Sequence, residues 1–116
     1  MGPVLVVDDD EALRELVAEA IADAGYSVEQ AENGLDAMAK MRRSSPCIVV
    51  LDLMMPVMDG WQVVLEMEAD PTLAQVPVCV VTAQDRIPPP KTAVLLKKPV
   101  SALKLVQTIE AYCGKP

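Results

Sequence analysis

Two apolar runs in this chain end in carboxylates. Val4-Leu5-Val6-Val7 leads directly into Asp8-Asp9-Asp10, and Cys47-Ile48-Val49-Val50-Leu51 stops at Asp52. Continuously apolar runs rich in β-branched residues read as strands buried on both faces, in the middle of a parallel sheet. Open α/β sheets place their sites in the crevice outside the carboxyl ends of the strands. If the two strands are parallel neighbours, Asp8, Asp9 and Asp52 converge at one edge. Carboxylates that close raise one another's pKa. A hard divalent cation such as Mg²⁺, which prefers oxygen ligands, relieves the repulsion. The same residues also fit a plainer reading, with Asp8 to Asp10 as acids at a helix N-terminus and Asp52 as a loop residue. The rest of the chain decides between the two.

Two more strand ends carry polar groups. Pro77-Val78-Cys79-Val80-Val81 ends in Thr82-Ala83, and a short fifth strand, Thr92 to Leu96, is followed by Lys97-Lys98-Pro99. With all strands parallel, Asp8, Asp9, Asp52, Thr82 and Lys98 share one edge. A nucleophilic carboxylate, a divalent cation, a hydroxyl and an ammonium together suit a tetrahedral phosphoryl group. Asp52 would attack phosphorus and become an acyl phosphate. The cation would neutralise the transferred oxygens, Lys98 would pair with another, and Thr82 would hydrogen-bond to a third. Such catalysis is mostly positioning and electrostatics.

These groups need elements to hold them. After the first strand, Asp9 or Asp10 can cap a helix. Leu13, Leu16, Val17, Ala20, Ile21 and Ala24 recur at helical spacing, and Gly25 is a good stop. Ser27 to Ala31 is a short strand with Val28 inward. Asn33-Gly34 turns the chain into a second helix reaching about Arg43, with Leu35, Met38 and Met41 on one face. Its Lys40, Arg42 and Arg43 favour the C-terminal end of the helix dipole. Trp61 to about Glu68 reads as a third helix, with Val64 and Leu65 as core candidates, ended by Asp70-Pro71. Leu103, Val106, Ile109 and Cys113 mark a last helix, capped by Ser101 and ending near Gly114. Strands alternating with helices call for a parallel sheet with crossover helices.

The stretch from Gln84 to Lys91 breaks the rhythm, because it contains Pro88-Pro89-Pro90. Each proline lacks an N–H and clashes with the preceding helical turn. A polyproline-like loop is expected there, not a full helix.

The chain has 116 residues, suited to one compact domain covering residues 1–116. Apolar residues make up 52% and aromatics only 3%, with no Phe, so the core is aliphatic. No apolar run approaches the ~20 residues of a membrane span. The N-terminus lacks a basic region followed by an apolar signal core. A cytoplasmic location is expected. The formal net charge of −7 argues against binding nucleic acid or anionic lipid. With no His in the chain, His-ligated metals and a His general base are excluded. The three cysteines, Cys47, Cys79 and Cys113, match no zinc spacing. Cys47 and Cys79, at or in apolar strands, read as buried free thiols.

VLVVDDDEALRELV, IVVLDLMMPVMDGWQVV, VPVCVVTAQ and LLKKP together resemble the receiver (CheY-like) domain of two-component response regulators. The likeness covers nearly the whole chain, with the motifs in order. It implies a flavodoxin-like three-layer α/β/α fold with strand order 2-1-3-4-5. It also implies residue roles. Asp52 would be the phosphoacceptor. Asp9 would hold Mg²⁺ directly, Asp8 largely through water, and Met54 through its backbone carbonyl. Thr82 would be the switch hydroxyl and Lys98 the ion-pairing lysine, preceding a cis peptide bond to Pro99. The donor would be a phosphohistidine on a sensor histidine kinase or histidine phosphotransfer protein. A downstream protein would read the phosphorylated form, and a homodimer is a further partner of the family's kind. Asp10 is expected only to cap, Lys97 to be solvated, and Trp61 to be a half-buried anchor.

Two departures from the family stand out. Its receiver domains usually carry an aromatic residue three positions before the lysine, as a switch that swings inward. Here that position is Leu95, which brings no ring into the vacated space. The segment between Thr82 and Lys98 is several residues short and proline-rich, so the family's fourth helix is expected to be shortened or absent and the usual output face altered. Met54 and Gln84, two residues after Asp52 and Thr82, are uncharged. They imply moderate to slow self-dephosphorylation. The leading reading is a phosphorylatable signalling module, not a turnover enzyme. The alternatives are a pseudo-receiver, a protein-interaction module regulated without phosphorylation, and a phosphatase of the haloacid dehalogenase kind. The last wants a second carboxylate at position 54, where this chain has Met.

Overall fold

In a computed structural model of the protein, residues 2–83, 85 and 87–116 are described. Five parallel strands form one sheet in the order β2-β1-β3-β4-β5. They are β1 (Val4–Val7), β2 (Val28–Ala31), β3 (Ile48–Leu51), β4 (Val78–Thr82) and β5 (Val94–Lys97). Four helices connect or follow them: α1 (Glu11–Asp23), α2 (Gly34–Ser44), α3 (Gly60–Ala69) and α4 (Ala102–Cys113). The expected strand order and three-layer arrangement are both present.

Side-chain alternation on the inner strands splits the core in two. Leu5, Val7, Val49, Leu51, Val78 and Val80 face α2 and α3, meeting Met38, Met41, Val63, Val64 and Met67. Val4, Val6, Ile48, Val50, Cys79 and Val81 face α1 and α4, meeting Ile21, Leu105, Ile109 and Cys113. Both faces of β1, β3 and β4 are therefore covered, which is why these strands are apolar without interruption.

The helix starts follow capping chemistry. Asp10, Asn33, Asp59 and Ser101 each accept a hydrogen bond from the backbone N–H three residues on. At α3 the Gln62 side chain returns a bond to the Asp59 N–H, completing a capping box. Gly25 follows α1 with φ +106°, a conformation that favours glycine.

Several expectations about the helices need correction. Leu16, Leu35, Leu65 and Leu103 are exposed. On a helix, neighbouring residues point about 100° apart, so Val64 takes the core and Leu65 faces water. On α4 the buried stripe is Leu105, Thr108, Ile109 and Cys113. The four-residue steps from Leu105 to Ile109 to Cys113 set that face and leave Leu103 outside. The fifth strand lies later than expected, with Lys97 inside it. Lys97 is exposed, as expected, and forms a surface ion pair with Asp85.

The reading of Cys47 as a free thiol is overturned. Cys47 and Cys113 form a disulfide, their Cα atoms 5.5 Å apart and 66 residues apart in sequence. The last helix returns antiparallel to the strands, so its final residue arrives at the start of β3. Cys79 is the buried free cysteine.

Among the described residues between β4 and β5 there is no helix. Pro89 is buried, and its carbonyl accepts from the Thr92 N–H at 3.0 Å, closing a turn through Pro90 and Lys91. The loop is anchored by Trp61 Nε1 donating to the Ile87 carbonyl (3.1 Å) and Lys91 Nζ donating to the Val76 carbonyl (2.6 Å). Trp61 is the half-buried anchor expected. Gln84 and Arg86, on which part of the loop and dephosphorylation readings fall, lie outside the described residues.

Candidate functional site: an acidic cluster at the carboxyl edge of the sheet

Parallel register brings the acidic residues together. Val7 of β1 pairs with Leu51 of β3, so the next residues, Asp8 and Asp52, emerge side by side. The Asp52 N–H donates to the Val7 carbonyl (3.0 Å) and the Asp8 N–H to the Ala31 carbonyl (3.2 Å). One carboxylate oxygen from each of Asp8, Asp9 and Asp52 lies within 4.8 Å of the others. Asp8 and Asp52 are buried, while Asp9 is exposed. Three hard oxygen donors so close fit a divalent cation of the Mg²⁺ kind. The Asp10 carboxylate caps α1 by accepting from the Leu13 N–H, and the Asp10 N–H donates to the Asp8 carboxylate (3.0 Å).

Lys98 enters from the far side of the sheet. Its backbone N–H donates to the Thr82 carbonyl (3.0 Å), which ties it to the end of β4. Its ammonium lies 3.1 Å from Asp8 and 3.7 Å from Asp52. The Lys98–Pro99 peptide bond is cis. Thr82 is buried at the end of β4, on the same carboxyl edge. Burial raises the Asp52 pKa from its ordinary value; Lys98 opposes this, the Asp8 and Asp9 charges add to it, and the Met54 N–H opposes it. The Met54 N–H donates to Asp52 at 3.4 Å.

Leu95 pairs in register with Val80, whose side chain joins the α2–α3 face of the core. It is 39% exposed, because no helix among the described residues covers β5 on that face.

Three supporting residues escaped the sequence reading. Arg14 donates to the Asp8 carbonyl (3.0 Å) and to Gln30 (3.0 Å), bracing the end of β1 against β2. Nothing in its spacing signalled this. Gly60 donates to the Leu53 carbonyl (2.9 Å). A Cβ there would meet Leu53 Cα at 2.7 Å and the Asp52 carbonyl oxygen at 2.9 Å. Val57 has φ +70°, rare for a β-branched residue, inside a turn closed by the Met58 N–H on the Pro56 carbonyl (2.8 Å). An Asp-Gly pair such as Asp59-Gly60 marks a turn, but does not reveal that the glycine abuts Asp52.

Residues 4–110 match the family model described as response regulator receiver domain. The chain is 40% identical over 84 residues to the response regulator MprA of Mycobacterium sp. (strain KMS), covering 72% of this chain and 36% of that protein. The chain thus spans about a third of the length of such relatives. It is 29% identical over 117 residues to the polar-differentiation response regulator DivK of Brucella anthropi, covering 96% of this chain and 95% of that one. The solved structure of the Vibrio cholerae chemotaxis protein CheY4 superposes with a TM-score of 0.85 at 28% identity, covering 97% of this chain and 98% of that chain.

Proposed function

The chain belongs to the response regulator receiver domain family of two-component signalling, and from that premise we infer that it is a phosphoacceptor. Residues 1–116 act as a single receiver domain in the cytoplasm. No helix among the described residues is long and apolar enough to cross a membrane. The observation that carries the reading is the convergence of Asp8, Asp9 and Asp52 with the Lys98 ammonium on one sheet edge.

In this reading an Asp52 carboxylate oxygen attacks the phosphorus of a phosphohistidine on a sensor histidine kinase or phosphotransfer protein. The P–N bond breaks, the imidazole leaves, and an acyl phosphate remains on Asp52. Asp8, Asp9, Asp52 and the Met54 carbonyl would hold Mg²⁺, which supplies charge neutralisation for the transferred oxygens. Lys98 pairs with a phosphoryl oxygen, and Thr82 donates a hydrogen bond to another. The phosphorylated form changes the binding of a downstream protein. The domain is a signalling module, not a turnover enzyme.

The full set of Asp8, Asp9, Asp52, Thr82 and Lys98 favours this over a pseudo-receiver regulated without phosphate. Met54 stands where an aspartyl-phosphate phosphatase would want its second carboxylate. The test is site mapping after incubation with acetyl phosphate and Mg²⁺. Phosphate on Asp52 supports the reading, and phosphate on another residue overturns it.

A further inference from the structure

The α1–α4 side of the sheet holds a cavity of about 390 Å³. Its walls are aliphatic: Leu13 and Val17 from α1, Val50 and Val81 from the sheet, Val100, and Leu105 from α4. The solvent-exposed Ala83 and Pro99 also line it, so it opens to solvent at that rim. Its size falls within the ~300–1,000 Å³ of ligand pockets. It is more than twice the ~150 Å³ in which an apolar cavity binds benzene.

The polar groups at its edge narrow the chemistry of an occupant. Asp8, Asp52 and Lys98 line one end. The Lys98 ammonium is engaged by both carboxylates, at 3.1 and 3.7 Å. A charged ligand would have to break that arrangement, and an anion would also meet two carboxylates. The other described lining residues carry no polar side chain, so an apolar body against them leaves no side-chain donor or acceptor unpaired. The chain has one Trp, two Tyr and no Phe, and no aromatic side chain lines the cavity. Branched aliphatic walls without a ring of their own leave room for one.

We propose that this cavity is a binding site for a small uncharged apolar molecule with a single aromatic ring or a branched alkyl body. It goes beyond the phosphoacceptor reading and needs neither Mg²⁺ nor phosphate.

The test is a titration of protein carrying ¹³C-labelled Val and Leu methyl groups with toluene, followed by NMR. Saturable shifts are expected at Val17, Val50, Val81 and Leu105. The methyls of Val49, Val63 and Val78, on the opposite face of the sheet, should stay in place. Val17→Phe, which fills the cavity from α1, should abolish the shifts. Should that variant not fold, Val100→Phe fills it from the rim and should do the same. A folded protein showing no shifts at saturating toluene would overturn the proposal. So would shifts spread equally over both faces, or shifts that survive the filling variant. Because the readout needs no phosphorylation, a failure of Asp52 to accept phosphate leaves it unaffected.

Discussion

The Lys98 ammonium lies 3.1 Å from the Asp8 carboxylate, bridging 90 residues of chain across the end of the sheet. It offsets the charge of two buried carboxylates, Asp8 and Asp52. Lys98→Met should therefore lower the stability of the metal-free protein and raise its Mg²⁺ affinity severalfold, because the carboxylates lose their internal counter-charge. Urea unfolding without Mg²⁺, paired with a Mg²⁺ titration, reads both effects. Unchanged Mg²⁺ affinity would show that the ion pair does not compete with the cation.

The raised pKa of Asp52 reports that its ionised form is held at a cost, first from burial. A folded-state pKa above the unfolded value means stability is lost as pH rises through that range and stays lost above it. Asp52→Asn removes the charge. Without Mg²⁺ at neutral pH it should stabilise the protein and raise its Tm. At ten times its Kd, Mg²⁺ should return ~1.4 kcal/mol to the wild type and much less to the variant. Thermal melts with and without Mg²⁺ decide this, and equal gains in both proteins would count against the assigned ligands.

Gly60 sits where a side chain would strike the Leu53 backbone and the Asp52 carbonyl. Backbone cannot rotate away as a long side chain can. Gly60→Ala should destabilise the fold by about 1–3 kcal/mol and slow phosphoryl uptake, because the loop carrying Asp52 and Met54 must shift. Denaturation and uptake kinetics on the same sample test both parts. A neutral effect on each would mean the loop is free to adjust.

The Cys47–Cys113 disulfide closes a loop of 66 residues and should contribute about 2–4 kcal/mol to stability. Reductant should lower the urea midpoint of the wild type and leave that of Cys113→Ser unchanged. Burial pushes the Cys79 thiol up to about 11, so its thiolate fraction at pH 8 is ~0.1%. Iodoacetamide at pH 8 should label nothing in the native oxidised protein, and should reach Cys79 only after unfolding. Two rapidly labelled thiols before reduction would contradict the pairing.

Much of this was legible in the sequence. The strands of the sheet interior are apolar without a break because both faces are covered, and each runs into a candidate residue of the site. That is why Asp8, Asp52, Thr82 and Lys98 could be placed on one edge from order alone. What sequence could not give was contact at a distance. Cys113 meets Cys47 only because α4 returns antiparallel to β3. Arg14 braces Asp8 through a geometry no spacing encodes. Leu65 and Leu103 look like core residues until their helices are rotated by their neighbours' burial. The proline run did announce its effect, since three prolines exclude a helix on local grounds. What that leaves uncovered, the half-exposed Leu95, followed only once the sheet register was known.

Phosphorylation of Asp52 should need a cation held by its acidic neighbours. The most direct test is intact mass after incubation with acetyl phosphate, with and without Mg²⁺, on the wild type and Asp52→Asn. The wild type should gain one phosphoryl group, dependent on Mg²⁺, and the variant none. A folded wild type that binds Mg²⁺, yet gains no phosphate from acetyl phosphate or from histidine kinases, would contradict it.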